Sequence, residues 1–239
     1  MTRRGGEVLN KFLNILFPES CPACEKPALN HEISPLCSEC WSSINPYSGP
    51  VCRKCGKPLS SDMALNCGEC LTEEPAFQYA RSYGIYEDVL KRGINLFKYH
   101  DKKRLSKPLA GFLLHINLPS ADAVIPVPVH RKRLRQREFN QSALLAREVA
   151  KKQDAELIIN CLVKTRDTQP QVGLSSEQRK TNLRGVFANN DNESVRAKDV
   201  ILVDDVATTG TTIRECSKVL KKAGAATIYA ISLAHGLSD

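Results

Sequence analysis

The sequence has no long apolar run. Nowhere in its 239 residues does an unbroken stretch approach the roughly 18 apolar residues needed to cross a bilayer. The densest early block, Phe12 to Phe17, is broken by Asn14 and stopped by Pro18. No small-residue cleavage site follows it, so a secretory leader is not expected and a cytoplasmic protein is. No G-x-x-x-x-G-K run is present, which excludes a Walker phosphate loop. Acids are in short supply after Pro75: residues 76–239 hold 17 acidic against 27 basic side chains, whereas residues 1–75 hold 9 against 7. The net charge of +8 therefore sits in the later part, as +10 against −2. Such a surface attracts polyanions, either nucleic acid or a small multiply phosphorylated ligand, although it also suits a merely soluble basic protein. With 42% hydrophobic and 25% charged residues, the composition is that of a folded chain and excludes general disorder.

Cysteine, by contrast, is plentiful, and eight of the ten lie in residues 21–70 as four C-x-x-C pairs: Cys21/Cys24, Cys37/Cys40, Cys52/Cys55 and Cys67/Cys70. Two intervening residues let one tight turn present both sulfurs to a tetrahedral ion. Twelve residues separate Cys24 from Cys37 and eleven separate Cys55 from Cys67, each gap suiting a short hairpin. The simplest assembly is two four-cysteine zinc sites in series, with cross-braced pairing left open by spacing. A disulfide framework belongs to exported domains, and a redox C-x-x-C belongs in a βαβ setting; neither context is present. Both sites read as closed and structural. The turn-rich segment has little core, so metal binding supplies much of its folding free energy. Cys161 and Cys216 read as buried small apolar residues. The sequence thus divides into an amphipathic helix over 1–18 (Val8, Leu9, Phe12, Leu13, Leu16, Phe17), a double zinc ribbon over 19–75 and an α/β domain over 76–239.

In the α/β part, strands are expected over 79–86, 121–127, 157–163, 200–203 and 227–234, with helices from Asp88, over 105–116, from Asn140 and from Thr211. The unbroken apolar run 200–203 suits a parallel strand covered on both faces. Repeated strand and helix argue an open, mostly parallel sheet, in which ligands bind beyond the carboxyl ends of strands. After Val203 come Asp204, Asp205, Val206, Ala207, Thr208, Thr209, Gly210, Thr211 and Thr212. A turn of small hydroxyl residues opening into a helix can cradle a phosphate on its backbone N–H groups. Two acids beside it repel phosphate unless they hold something else, such as ribose hydroxyls or a divalent cation. The alternative is an Asp-rich capping turn. A second cluster, Arg131, Lys132, Arg133, Arg135 and Arg137, exceeds what one pyrophosphate requires and suits a nucleic-acid backbone; it also suits a solvated helix start. Phe139 beside it reads as core or as a stacking surface. No residue stands out as a nucleophile or general base.

The 204–212 segment resembles the phosphoribosyl pyrophosphate (PRPP) motif of type I phosphoribosyltransferases. The stretch 125–130 (Ile-Pro-Val-Pro-Val-His) resembles their pyrophosphate loop, and 164–187 their mobile hood. Together with Lys98 and the cysteine-rich start, the whole chain is similar to the ComF family, which joins a double zinc ribbon to a phosphoribosyltransferase-like domain. One branch of that family is named for gluconate utilisation. The resemblance implies an α/β, type I phosphoribosyltransferase-like parallel sheet with two structural Zn²⁺, and PRPP bound with Mg²⁺. Residues 207–211 would take the 5-phosphate, and Asp204 and Asp205 the ribose diol and Mg²⁺. Pro128, Val129, His130 and Arg131 would face pyrophosphate, with Lys98 an extra cation. It also implies a role in DNA uptake through single-stranded DNA, with a DNA-uptake helicase or recombination protein as partner. The alternative is an active transferase passing ribose 5-phosphate to an amine or base. Glu138 stands where the family usually has Gly in its Arg-Gly-Phe-Asn-Gln segment.

Overall fold

The computed structural model describes residues 19–99, 102–168 and 176–237. The helix expected over 1–18 lies outside them. Two short helices, α1 (Ser38–Ser42) and α2 (Gly68–Thr72), belong to the ribbons. Strand β1 (Tyr79–Ile85) then leads through α3 (Asp88–Tyr99) and α4 (Ser106–Leu113) to β2 (Ala123–Pro126). Helices α5 (Arg131–Arg137) and α6 (Gln141–Gln153) precede β3 (Glu156–Leu157) and β4 (Leu162–Lys164). The chain continues as α7 (Ser176–Leu183), β5 (Phe187–Asn189), β6 (Asp199–Ala207), α8 (Thr211–Lys222) and β7 (Thr227–His235).

Five strands form one parallel sheet in the order β1-β7-β6-β2-β3. Each face of it is buried, which explains the unbroken apolar run in β6. Val200 and Leu202 pack with Ile213, Cys216 and Leu220 of α8. Ile201 and Val203 pack with Ile94 and Phe97 of α3, Leu109 of α4 and Leu145 of α6. Cys161 and Cys216 are buried in the first of these cores, in keeping with their reading as apolar fillers. β2 and β6 are neighbours, with Ile125 opposite Leu202. The loop after each therefore opens at the same edge of the sheet. Asn140 fixes that edge from the side: its Oδ1 accepts from the Ser142 N–H at 3.0 Å, capping α6, while its Nδ2 donates to the Val127 carbonyl at 3.0 Å.

The strand expected over 157–163 is two strands in two sheets. Glu156–Leu157 pairs with β2, and Leu162–Lys164 leaves to pair antiparallel with β5. Buried Leu162 and Phe187 of that pair cover the α8 face, so the apolar pattern continues while the partner changes. The ribbons dock at different places. The first lies on α3, where Leu36 and Cys21 meet Val89 and Leu96 and Arg92 donates to the Pro22 carbonyl at 2.7 Å. The second lies against β1, whose Ala80 N–H donates to the Lys54 carbonyl at 2.7 Å, and against α8 through Arg214.

Candidate functional site

Cys21, Cys24, Cys37 and Cys40 converge, as do Cys52, Cys55, Cys67 and Cys70, with the sulfurs of each set within 4.8 Å of one another. The pairing is sequential, not cross-braced. Sulfurs about 2.3 Å from a tetrahedral zinc lie roughly 3.8 Å apart. Cys24 and Cys37 approach to 3.5 Å and Cys55 and Cys67 to 3.6 Å, so the donor set fits that ion. One thiol in each set is primed to ionise. Although burial opposes it, backbone N–H groups of Cys37, Ala23 and Cys24 hold Cys21 down to about 6. Those of Cys55, Cys67 and Lys54 hold Cys52 at about 7 in the same way. Burial pushes Cys70 up to about 11 despite the nearby Arg214 cation. Four protein ligands at each site leave no open position for chemistry, so the sites serve the fold.

At the shared edge of β2 and β6 lies a cavity of about 760 Å³. Asp204, Asp205, Val206, Thr208 and Thr212 line it, opposite Pro128, Val129 and His130. Asp204 is buried; its Oδ1 accepts from Ser142 Oγ at 3.2 Å and from the Asp205 N–H at 2.8 Å. Burial, with Asp205 beside it, pushes its carboxyl up to about 7 against the pull of Lys98. Asp205 accepts an ion pair from Lys98 at 2.8 Å. Burial works against the Lys98 charge, yet Asp205 holds that ammonium above its ordinary range. Lys98 is therefore engaged with the acids and not free to meet an anion in this state. Ala207 and Thr211 are buried, and the Thr209 and Thr211 hydroxyls pair at 2.8 Å. Gly210 makes the bend into α8 with φ of +71°. A Cβ there meets open space, so the cost of one is conformational. We expect Gly210→Ala to lower stability by about 1–2 kcal/mol, read from denaturant unfolding.

Comparison with known proteins bears on the whole chain. Residues 12–71 match the double zinc ribbon domain family, and residues 140–239 the phosphoribosyl transferase domain family. The chain is 34% identical over 212 residues to "Competence protein F" of Haemophilus influenzae, covering 84% of this chain and 90% of that protein. It is 31% identical over 229 residues to "DNA utilization protein YhgH" of Salmonella typhi, covering 92% and 98%. The chain belongs to the ComF family. A more distant member, "Competence protein ComFC" of Bacillus subtilis, is 25% identical over 215 residues and covers 83% of each chain.

In this ComF-family chain the basic cluster divides its work. Arg131 is exposed at the start of α5 and does not line the cavity, whereas Arg133 and Arg137 do. Arg133 donates to the Thr168 carbonyl at 3.0 Å. Asp167 lies 3.5 Å from Lys132 Nζ and 3.7 Å from His130 Nδ1. The start of the 164–187 segment is thus fastened to α5. Arg131 and Arg135 have no acidic partner among the described residues. Arg137 stacks 4.7 Å from the Tyr99 ring centre. Glu138 ends α5 in the left-handed region, φ +62°, where a glycine carries no steric penalty and a side chain does. Its carboxylate lies 3.4 Å from Lys103. Phe139 is half-buried: it packs on Phe97 at 5.8 Å and also lines the cavity, with Lys103 Nζ 5.1 Å from its ring. The exposed ring is Tyr99, 62% accessible. Sequence reasoning also passed over Lys164, which lines the cavity and donates to Thr168 Oγ1 at 2.7 Å. Burial, then Arg133, draws its ammonium below the ordinary range. Its position at the head of Lys164-Thr165-Arg166-Asp167-Thr168 was the available signal.

Proposed function

We propose that the cavity binds PRPP with Mg²⁺ and that the chain handles single-stranded DNA during uptake or use of DNA. The observation that carries the ligand reading is the meeting, at one sheet edge and in one cavity, of two carboxylates with a threonine-rich turn that opens into a helix. Asp204 and Asp205 would hold the ribose diol and the cation. The N–H groups of the turn and the Thr208 and Thr212 hydroxyls would receive the 5-phosphate. Pyrophosphate would meet Val129 and His130, with Lys98, Arg133 and Lys164 the nearest cations. Bound Mg²⁺ would neutralise charge on the pyrophosphate.

The DNA reading rests on α5 and on the names carried by relatives. Arg131, Lys132 and Arg135 offer exposed charge to a phosphate backbone, and Tyr99, backed by Arg137, offers a ring to a base. We expect the triple change Arg131→Ala, Lys132→Ala, Arg135→Ala to weaken oligothymidine binding and to reduce its salt slope by about 2–3. An unaltered slope in fluorescence anisotropy would remove this helix from the interface. Tyr99→Ala should weaken binding to oligothymidine but not to an abasic strand of equal length; equal losses on both would exclude stacking. Whether the bound ligand is also turned over is read directly from pyrophosphate release in the presence of amines and free bases.

A further inference from the structure

Arg214 stands on the first turns of α8, immediately after the threonine-rich bend, and its own N–H donates to the Gly210 carbonyl at 2.9 Å. Its side chain leaves the phosphoribosyltransferase-like domain and enters the second ribbon. Nη2 donates to Cys70 Sγ at 2.8 Å and Nη1 to the Glu73 carbonyl at 3.1 Å. The guanidinium sits 6.0 Å from the centre of the Phe77 ring. The residue is 5% exposed, and Nε has no partner. A guanidinium cannot shed its proton, and a buried cation without an anion is costly. Zinc bound by the four cysteines would deprotonate Cys70 and supply that anion. Four thiolates and one Zn²⁺ carry a net charge of −2, of which Arg214 offsets half.

Two neighbours on α8 extend the contact. Lys218 pairs with Glu73 of the ribbon at 2.9 Å, and Glu215 accepts from the Gly185 N–H, at the end of the 164–187 segment, at 3.2 Å. The helix that begins with the threonine-rich bend is thus anchored to the second ribbon and to that segment. The first ribbon differs. Arg92 and Arg104 reach its backbone carbonyls, at Pro22 and Ser34, and not its sulfurs.

We propose that Arg214 is a positioning residue through which the second four-cysteine site holds α8, so that metal in that site sets how well the 207–212 turn binds a phosphorylated sugar. The ligand half of this statement rests on the PRPP reading above; the metal half does not. Groups that hydrogen-bond to zinc ligands typically change metal affinity by about 10–100-fold when removed. The test uses the full zinc-loaded chain with Arg214→Met and Arg214→Lys. One readout is zinc transfer to a chromogenic chelator, and a second is the visible absorption of protein reconstituted with Co²⁺. The third is PRPP·Mg²⁺ affinity by calorimetry. In Arg214→Met we expect one of two zinc equivalents to leave about tenfold faster, the cobalt spectrum of one site to shift, and PRPP affinity to fall about tenfold, with Arg214→Lys partly restoring all three. Unchanged zinc release and cobalt spectrum would overturn the proposal. Faster zinc loss with unchanged PRPP affinity would overturn the link to the turn. If the wild type itself binds no PRPP, the PRPP reading fails while the metal readouts still decide the role of Arg214. If Arg214→Met does not fold, Arg214→Lys decides: it keeps the charge but cannot reach Cys70 and Glu73 together, so wild-type zinc release from it overturns the proposal.

Discussion

Replacing Asp204 and Asp205 together by alanine should abolish the proposed PRPP·Mg²⁺ binding in titration calorimetry, an expected loss of at least about 100-fold. The magnitude follows from two charge-assisted contacts removed at once, each contributing about 1.5–3 kcal/mol. Part of the effect is indirect, because Lys98 then loses the partner that now holds it at 2.8 Å. A freed ammonium could contact pyrophosphate, but it cannot replace an acceptor for the diol. Affinity equal to wild type would refute the site. The same acids give binding a pH dependence of known sign. Asp204 has its carboxyl raised to about 7 by burial and by Asp205. A cation or diol takes the ionised form, so affinity is full above that value and falls as pH drops through it, by up to tenfold per unit. Binding near pH 7 should then release about half a proton, rising towards one at lower pH. Calorimetry in two buffers of different ionisation heat reads that proton, and its absence would mean that Asp204 does not meet the ligand.

Stripping both metal ions should unfold the ribbons while leaving most of the parallel sheet. Structural zinc contributes on the order of 10–16 kcal/mol of apparent binding free energy in small domains. The ribbon cores here are few residues beyond their own cysteines: Ala28, Ile33 and Leu36 are buried in the first, and Leu59 is half-buried beside the second. No apolar burial of that size can replace the ion. The sheet is different, since both its faces are packed by long helices. With excess chelator we expect hydrogen exchange to rise throughout residues 19–75 and to stay slow in β6 and β7. Uniform exposure of both parts would show that the sheet depends on the ribbons for its existence; slow exchange retained in the ribbons would show that metal is dispensable.

Much of this was legible in the sequence, for identifiable reasons. C-x-x-C spacing is a local geometric constraint, so the cysteine sites follow from it, and only their sequential pairing needed coordinates. The run 200–203 announced a doubly covered strand because each alternate residue meets a different core. The strand over 157–163 was misread because apolar pattern reports burial and not partner: Leu157 and Leu162 are covered by different layers. Lys98 was read as an extra cation for pyrophosphate, and its pairing with an acid 107 positions later, at 2.8 Å, is not visible in a sequence. Phe139, read as core or as a stacking surface, packs on Phe97, and the exposure of Tyr99 was not foreseen, for the same reason. Which aromatic is exposed depends on how α3 and α5 meet, a tertiary fact.

The strand order carries one more consequence, for synthesis. β7 lies between β1 and β6, although it is the last strand in chain order. Within the sheet β1 has only β7 as neighbour. While the chain emerges from a ribosome, the cysteine pairs can take up metal early, but β1 must wait for some 140 further residues before it is paired. Over that interval the edge that β7 later fills is open, while the second ribbon, whose Lys54 carbonyl takes the Ala80 N–H, covers β1 on its other side.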